Sequence, residues 1–261
     1  MIRLLTRADD AGLCQSVNLA VEKAYTTGII RNTSLMVNCA NFKDAVELLH
    51  PYTPGLCIGL HAVINCEWEY PRWGSVDQTD KVPSMLLEDG TFPLFPNDQF
   101  DAHAKIDEIM YEIKSQLDIM RATGIEISYI DQHCVFGWLY EYEIDKHIAE
   151  LAKNEGLVND TSALKGLPNV DGEFATPGDK LIARLKAAGD GTYKMVTHLG
   201  LNNDDMNKIR FKNGQAGKIA AERAEETALV TDEKVVQYCR ESNIELIKYT
   251  DLTSIELGLT V

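Results

Sequence analysis

The sequence predicts an α/β fold built on a mostly parallel sheet of about seven strands. Three observations carry this. Short apolar runs alternate with longer stretches whose apolar residues recur at helical spacing. The first run, Leu4 to Ala8, stops at Asp9-Asp10, and Gly12 and a helical pattern follow. Three later runs stop at His61, at Asp131-Gln132-His133 and at His198. Strand, acid group, turn and helix is how a βα-loop carries chemistry at the C-terminal edge of a parallel sheet.

In order, Leu4 to Ala8 reads as a buried strand. From Cys14 to Thr27, Val17, Ala20, Val21, Ala24 and Tyr25 form one stripe of an amphipathic helix, and Gly28 ends it. A second short strand lies within Asn32 to Asn38. Asn41 is placed to cap a helix reaching about His50. Leu56 to Leu60 is a third apolar run. Residues 64–102 then hold Pro71, Pro83, Pro93 and Pro96 with Trp68 and Trp73, and read as a long lid-like loop. His103 to Thr123 is the clearest helix, striped by Ile106, Ile109, Met110, Ile113, Leu117 and Met120. Ile125 to Ile130 is a strand, and Tyr140 to Asn154 a helix. Leu157-Val158 is a short strand.

Thr176-Pro177 pairs an N-cap with proline at the first helical position, opening a helix to Gly189. Tyr193 to Thr197 is a strand. Helices follow over Ala216 to Leu229 and from a cap at Thr231, and Ile244 to Lys248 is the last strand. Right-handed crossovers are the rule for such a chain. Pattern alone does not separate a closed barrel from an open sheet. With no internal repeat and no linker, residues 1–261 are expected to form one domain.

Composition narrows the function. The 261 residues are 45% hydrophobic, enough for a substantial core. No apolar stretch approaches the roughly 20 residues of a membrane span, and the N-terminus lacks a signal-peptide pattern, so a cytoplasmic protein is expected. Six scattered Cys without a CxxC pair read as free thiols. Net charge is −15, with 40 acids against 25 Lys plus Arg. That field opposes nucleic acid and anionic lipid, and it says nothing against neutral sugars.

Asp9, Asp10, His61, His133 and His198 follow four different strands. In a parallel sheet those ends share one face, so the five side chains can converge. Two or three His with one carboxylate is the make-up of a catalytic divalent-metal site. A second carboxylate beside it suits removal of a proton from water. Adjacent acids in a turn point different ways, so one can bind metal while the other stays free. Taken singly, an Asp pair before a helix is a cap and a strand-end His is structural; the coincidence of four strand ends is the signal. His50, His103 and His147 fall on helices and read as surface residues. Trp68, Trp73 and Trp138 suit stacking on a sugar ring, and equally suit pinning long loops. Cys14 and Cys134 lack a nucleophile's context and read as packing.

Four segments resemble the YdjC-like carbohydrate deacetylases: Ala8-Asp9-Asp10-Ala11-Gly12 with Asn18, Gly28 to Asn38 with Ala45, Gly59-Leu60-His61, and Ile130-Asp131-Gln132-His133. Thr197-His198-Leu199-Gly200 and Arg223-Ala224-Glu225-Glu226 are weaker matches. The resemblance implies a TIM-barrel-like (β/α) barrel that removes N-acetyl groups from amino-sugar mono- or oligosaccharides. It implies metal ligands Asp10, His61 and His133, a general base in Asp9 and a general acid in His198. It implies one divalent ion, usually Mg²⁺ in the family, although two His and a carboxylate suit Zn²⁺ or another transition ion better. Family members often associate, which makes a homodimer an expectation. The chain departs from the family at Ala11, usually Phe, and at Val135, often His. It departs again at Leu199, usually Pro, and at Asn159-Asp160-Thr161, where an Arg is common. These departures bear on the substrate pocket. The competing functions are a metal-dependent sugar isomerase or epimerase, and a non-catalytic carbohydrate-binding protein.

Overall fold

β1 (Ile2–Ala11) is the spine of the sheet. The structure is a computed structural model that describes residues 1–77, 80–94, 104–134, 143–160 and 164–258. β7 (Gly191–His198) runs parallel along one whole edge of β1, from Ile2 opposite Gly191 to Asp9 opposite His198. The other edge is divided. β8 (Glu245–Ile247) takes Arg3 to Leu5, and β2 (Asn32–Leu35) takes Arg7 onward. Asn32 fills the fork. Its Nδ2 donates to the carbonyls of Thr6 (2.9 Å) and Ile247 (3.0 Å), and its Oδ1 accepts from the Tyr249 N–H (2.9 Å). A buried amide at a fork where two strands diverge satisfies backbone groups that neither ladder reaches.

β3 (Cys57–Ala62), β4 (Tyr129–Gln132) and β5 (Val158–Asn159) extend the sheet beyond β2, and β6 (Lys165–Gly166) flanks β7. The order is β5-β4-β3-β2-β1-β7-β6 with β8 on β1, and every pairing is parallel. The sheet curls into a TIM-barrel-like half-barrel surrounded by helices. The described sheet has eight strands. The one the sequence hid is β6, two exposed residues with no apolar run to announce them.

The helices are α1 (Gln15–Thr27), α2 (Phe42–Leu49), α3 (Ile106–Ala122), α4 (Glu143–Asn154), α5 (Pro177–Ala187), α6 (Lys218–Val230) and α7 (Glu233–Glu241). α1 buries Val17, Ala20, Val21 and Ala24, the stripe its spacing requires. Thr176 Oγ1 caps α5 by accepting from the Asp179 N–H (3.1 Å). At α7 the cap is Asp232 rather than Thr231. Asp232 accepts from the Lys234 N–H (2.8 Å), while Thr231 donates back to the Thr227 carbonyl (2.8 Å). β2 stops at Leu35, short of Asn38, and β4 starts at Tyr129 rather than Ile125.

α3 buries Ile109, Ile113, Leu117 and Met120, and with them Glu112 and Gln116. These two polar groups fasten the chain after β3. Gln116 bonds both backbone groups of Val63 (3.0 and 2.6 Å), and Glu112 accepts from Asn38 Nδ2 (2.8 Å) and the Val76 N–H (3.2 Å). The described part of the long loop therefore packs down, with Ile64, Trp68, Trp73, Val82, Met85 and Phe92 buried.

The core lies in two places. The larger fills the space between sheet and helices. The smaller, Leu5, Cys57, Tyr129, Ile247 and Tyr249, belongs to the strands and the turn after β8. Tyr129 stacks on Tyr249 at 3.9 Å. Gly59 makes room for it, since a Cβ there would lie 2.4 Å from the Tyr129 ring. Above this plug, on the same alternation of β1, stand Arg7 and Asp9.

Candidate metal centre and its cleft

A regular strand would put Asp9 and Asp10 on opposite faces. β1 breaks its alternation at this point. Its register against β2 slips between Ala8 and Ala11, and Asp10 adopts a left-handed backbone with φ +67°. Asp is one of the few L-residues that tolerates this, and an irregularity of this kind re-aims a side chain. Both carboxylates consequently line one cleft of about 610 Å³. Gly12, at φ +98°, completes the turn, where a Cβ would come within 2.9 Å of the Met36 carbonyl.

β3 delivers His61, which stands opposite Asp131 in the β3–β4 register. His133 follows β4, its N–H bonded to the Ala62 carbonyl (2.9 Å). Three atoms then meet. His61 Nε2 lies 3.3 Å from Asp10 Oδ1, His133 Nδ1 lies 3.2 Å from the same oxygen, and the two nitrogens are 3.2 Å apart. Ligands held roughly 2.0–2.2 Å from one ion stand about 2.8–3.6 Å from each other, the span from right-angled to tetrahedral arrangements. Asp10 Oδ1 is buried and accepts no well-directed hydrogen bond, as a ligand oxygen kept for a cation would be. These donors could hold a metal ion.

Each of the three is held from behind. His61 Nδ1 contacts Asp131 Oδ2 (2.9 Å), His133 Nε2 contacts Glu67 Oε2 (2.7 Å), and Arg223 Nη2 donates to Asp10 Oδ2 (2.6 Å). Such partners fix the tautomer and ring orientation of a ligating His. They also set the charges. Burial works to lower the His61 pKa, but the carboxylates of Asp131 and Asp9 outweigh it and push it up to about 9. Burial is likewise outweighed at His133, where Glu67 holds the imidazole well above its ordinary value. Burial would raise Asp10, yet Arg223 and the two imidazoles keep it well below the carboxylate range.

Asp9 sits beside this triangle with both oxygens on Arg7: Nε donates to Oδ1 (2.6 Å) and Nη2 to Oδ2 (3.0 Å). Burial opposes its ionisation, but Arg7 and then His61 hold it below its usual value. His198 ends β7 opposite Asp9 and is exposed, its backbone N–H bonded to Glu226 Oε2 (2.7 Å). All five strand-end residues line the cleft.

Trp68 walls the same cleft, its ring 4.3 Å from that of Phe211 and 5.7 Å from the Arg223 guanidinium. Trp73 is buried behind it, donating to the Asn65 carbonyl (2.8 Å) and meeting His133 edge-on at 5.9 Å. Trp138, Val135 and His103 lie outside the described residues. Cys14 is buried; Cys134 borders the cleft, where burial pushes its thiol up and away from the reactive thiolate. His50 and His147 are exposed.

The sequence assigned no role to Arg7, Glu67, Asp131 or Arg223, although Asp131 and Arg223 stand in segments that carry the family resemblance. Arg7 left a signal, two residues before Asp9 and so on the same strand face. Asp131 left one too, two residues before His133. Glu67 sits in a loop with no periodicity to place it. No described helix is long and apolar enough to cross a membrane.

Comparison with known proteins agrees with this architecture. A carbohydrate deacetylase of Thermoanaerobacter pseudethanolicus is 26% identical over 95% of this chain and 98% of its own length. A carbohydrate deacetylase of Brevibacillus brevis is 33% identical over 51% of this chain and 49% of its own. A solved structure from Enterococcus faecalis V583, described as a "putative cellobiose-phosphate cleavage protein", shares the fold with a TM-score of 0.76 at 19% identity, covering 96% of this chain and 98% of that one. The sequence model of the YdjC-like proteins matches residues 3–241, from β1 to the end of α7, and the chain belongs to that family.

Proposed function

We propose that the protein is a metal-dependent hydrolase that removes N-acetyl groups from amino-sugar mono- or oligosaccharides. The observation that carries this is the convergence of Asp10 Oδ1, His61 Nε2 and His133 Nδ1 to within 3.3 Å, with a second, separately held carboxylate beside them. The names of the full-length relatives point to the same chemistry.

Asp10, His61 and His133 would hold one divalent ion, which supplies positive charge that acidifies a water and polarises an amide carbonyl. Two imidazoles and one carboxylate favour Zn²⁺ or another transition ion over Mg²⁺. Asp9 takes the proton from the attacking water. Its two Arg7 contacts use one side of the carboxylate and leave acceptor capacity for that proton. A base held below its usual pKa is weak, which suits it only to a water already acidified. His198, across the ladder from Asp9 and open to the cleft, gives a proton to the departing amine. Without that proton an amine anion would have to leave. Phe211, exposed in the cleft and packed on the buried Trp68, offers an apolar wall for the sugar ring. The products are acetate and a free amino sugar.

The test is acetate release from a panel of N-acetylated mono- and disaccharides. Metal-stripped protein is re-supplied with Mg²⁺, Mn²⁺, Co²⁺ or Zn²⁺, and Asp9→Asn is the control. Turnover should require an ion, and Asp9→Asn should keep its metal while losing on the order of 10²–10⁴ in rate. A mass-neutral sugar product without acetate would put the isomerase reading in its place.

A further inference from the structure

The proposed reaction gives no task to the most heavily bonded cation in the cleft. Arg7 is buried on β1, two residues before Asp9. Its guanidinium touches three carboxylates and a phenol. Nε and Nη2 grip both oxygens of Asp9 (2.6 and 3.0 Å), and Nη2 also lies 3.1 Å from Asp131 Oδ2. Nη1 donates to Asp160 Oδ2 and to the Tyr249 hydroxyl (2.8 Å). The other oxygen of Asp160 is taken by Lys194 Nζ (2.8 Å).

Stability does not account for such a knot. Buried ion networks lose in desolvation about what they gain in attraction, and well-packed apolar side chains often serve as well. The connectivity suggests another purpose. Nη2 is shared between the carboxylate beside the metal triangle and the carboxylate that holds His61 from behind. One nitrogen therefore sets where Asp9 stands relative to His61. Asp160 and Tyr249 fix the opposite end of the same planar group, so it cannot swing to follow either carboxylate.

We propose that Arg7 is a positioning residue that couples the two halves of the site, aiming Asp9 at the reacting water and, through Asp131, holding the His61 imidazole in line with Asp10 and His133. The inference rests on the deacetylase reading for its Asp9 half and on the triangle alone for its His61 half. A planar fork with donors on two edges does this; a point charge does not.

The first variant is Arg7→Lys, which keeps the positive charge and removes the fork. It should fold and load a full equivalent of metal. Its kcat for acetate release should drop by roughly 10–10², the scale of a small misplacement at a reacting centre, with KM changed by less than about threefold. Its affinity for Co²⁺ should weaken by several-fold, with a shifted visible absorption band of the bound Co²⁺. The second variant is Arg7→Gly assayed with millimolar guanidinium ion. Guanidinium should restore kcat where ammonium at the same concentration does not. Asp160→Asn, which loosens only the far end of Arg7, should lower kcat by a smaller factor and provides a reading even if Arg7→Gly does not fold.

Arg7→Lys with wild-type kcat and an unchanged Co²⁺ spectrum would overturn the proposal. So would guanidinium that raises the melting temperature of Arg7→Gly but leaves kcat low, since that is a structural role alone. If the wild-type protein releases no acetate, the reaction class is wrong. The positioning claim is then decided by the Co²⁺ affinity and spectrum, which do not depend on the substrate.

Discussion

The two sides of the cleft are built to different standards of rigidity. On the β1, β3 and β4 side, every candidate ligand is buried and its far atom is engaged: Asp131 behind His61, Glu67 behind His133, Arg223 behind Asp10. On the β7 side, His198 is exposed and the contact fixing it is made by its backbone, through Glu226. The contrast fits the division of roles proposed for the two sides. An ion needs its ligands within tenths of an ångström before it arrives, so their geometry is fixed by the sheet and by buried partners. On the proposed reading, His198 meets a leaving group that changes with each turnover, and a bound substrate would supply its burial.

The largest test of this contrast is on the rigid side. His61→Ala should empty the centre, and acetate release should fall to background in any metal. Metal analysis of the purified variant checks it, and full occupancy would mean that the triangle is not the binding site. The same substitution leaves Asp131 buried without its imidazole, so a fall in melting temperature is expected alongside.

The next effect belongs to the open side. His198→Gln should retain a full equivalent of metal and lose on the order of 10²–10⁴ in kcat, the usual worth of a general acid. A substrate with a better leaving group should recover much of that loss. If His198→Gln instead sheds its metal, the division between a metal side and a proton-donor side is wrong.

The same contrast explains what the sequence made legible. Strand ends are marked by the change from apolar run to Asp or His, so Asp9, Asp10, His61, His133 and His198 are legible in the sequence. Parallel topology brings those strand ends to one edge of the sheet, and the break in β1 at Asp10 then aims its side chain into the cleft. The second layer was hidden for a physical reason. Arg7 and Asp131 sit within strands, where their meaning depends on register: Asp131 matters because β4 sets it opposite His61, and no single-strand pattern encodes that pairing. Glu67 arrives from an irregular segment whose path depends on Gln116 and Glu112 of α3. β6 has two exposed residues and no pattern at all. The left-handed turn at Asp10 likewise lies beyond sequence periodicity, since alternation predicts the opposite face for its side chain.

The smallest and most discriminating test is Asp131→Asn, which weakens one supporting partner and leaves all three candidate ligands in place. Metal affinity should fall about 10–100-fold, the usual cost of losing such a partner. The pH dependence sharpens it. In the metal-free protein burial works to lower the His61 pKa, but Asp131 and then Asp9 outweigh it and push it up from an ordinary 6.5 to about 9. Its proton thus stabilises the metal-free fold in full below about 6.5, and that contribution is lost as pH rises through about 9. Between those values an incoming ion must displace the proton from Nε2, so affinity should climb with pH across this window and binding at pH 7.5 should release it. Removing the Asp131 charge takes away the chief cause of the raised value, so Asp131→Asn should release less proton at pH 7.5 than the wild type. Calorimetry in two buffers of different ionisation enthalpy measures the difference. Equal proton release would show that Asp131 orients the ring without setting its charge.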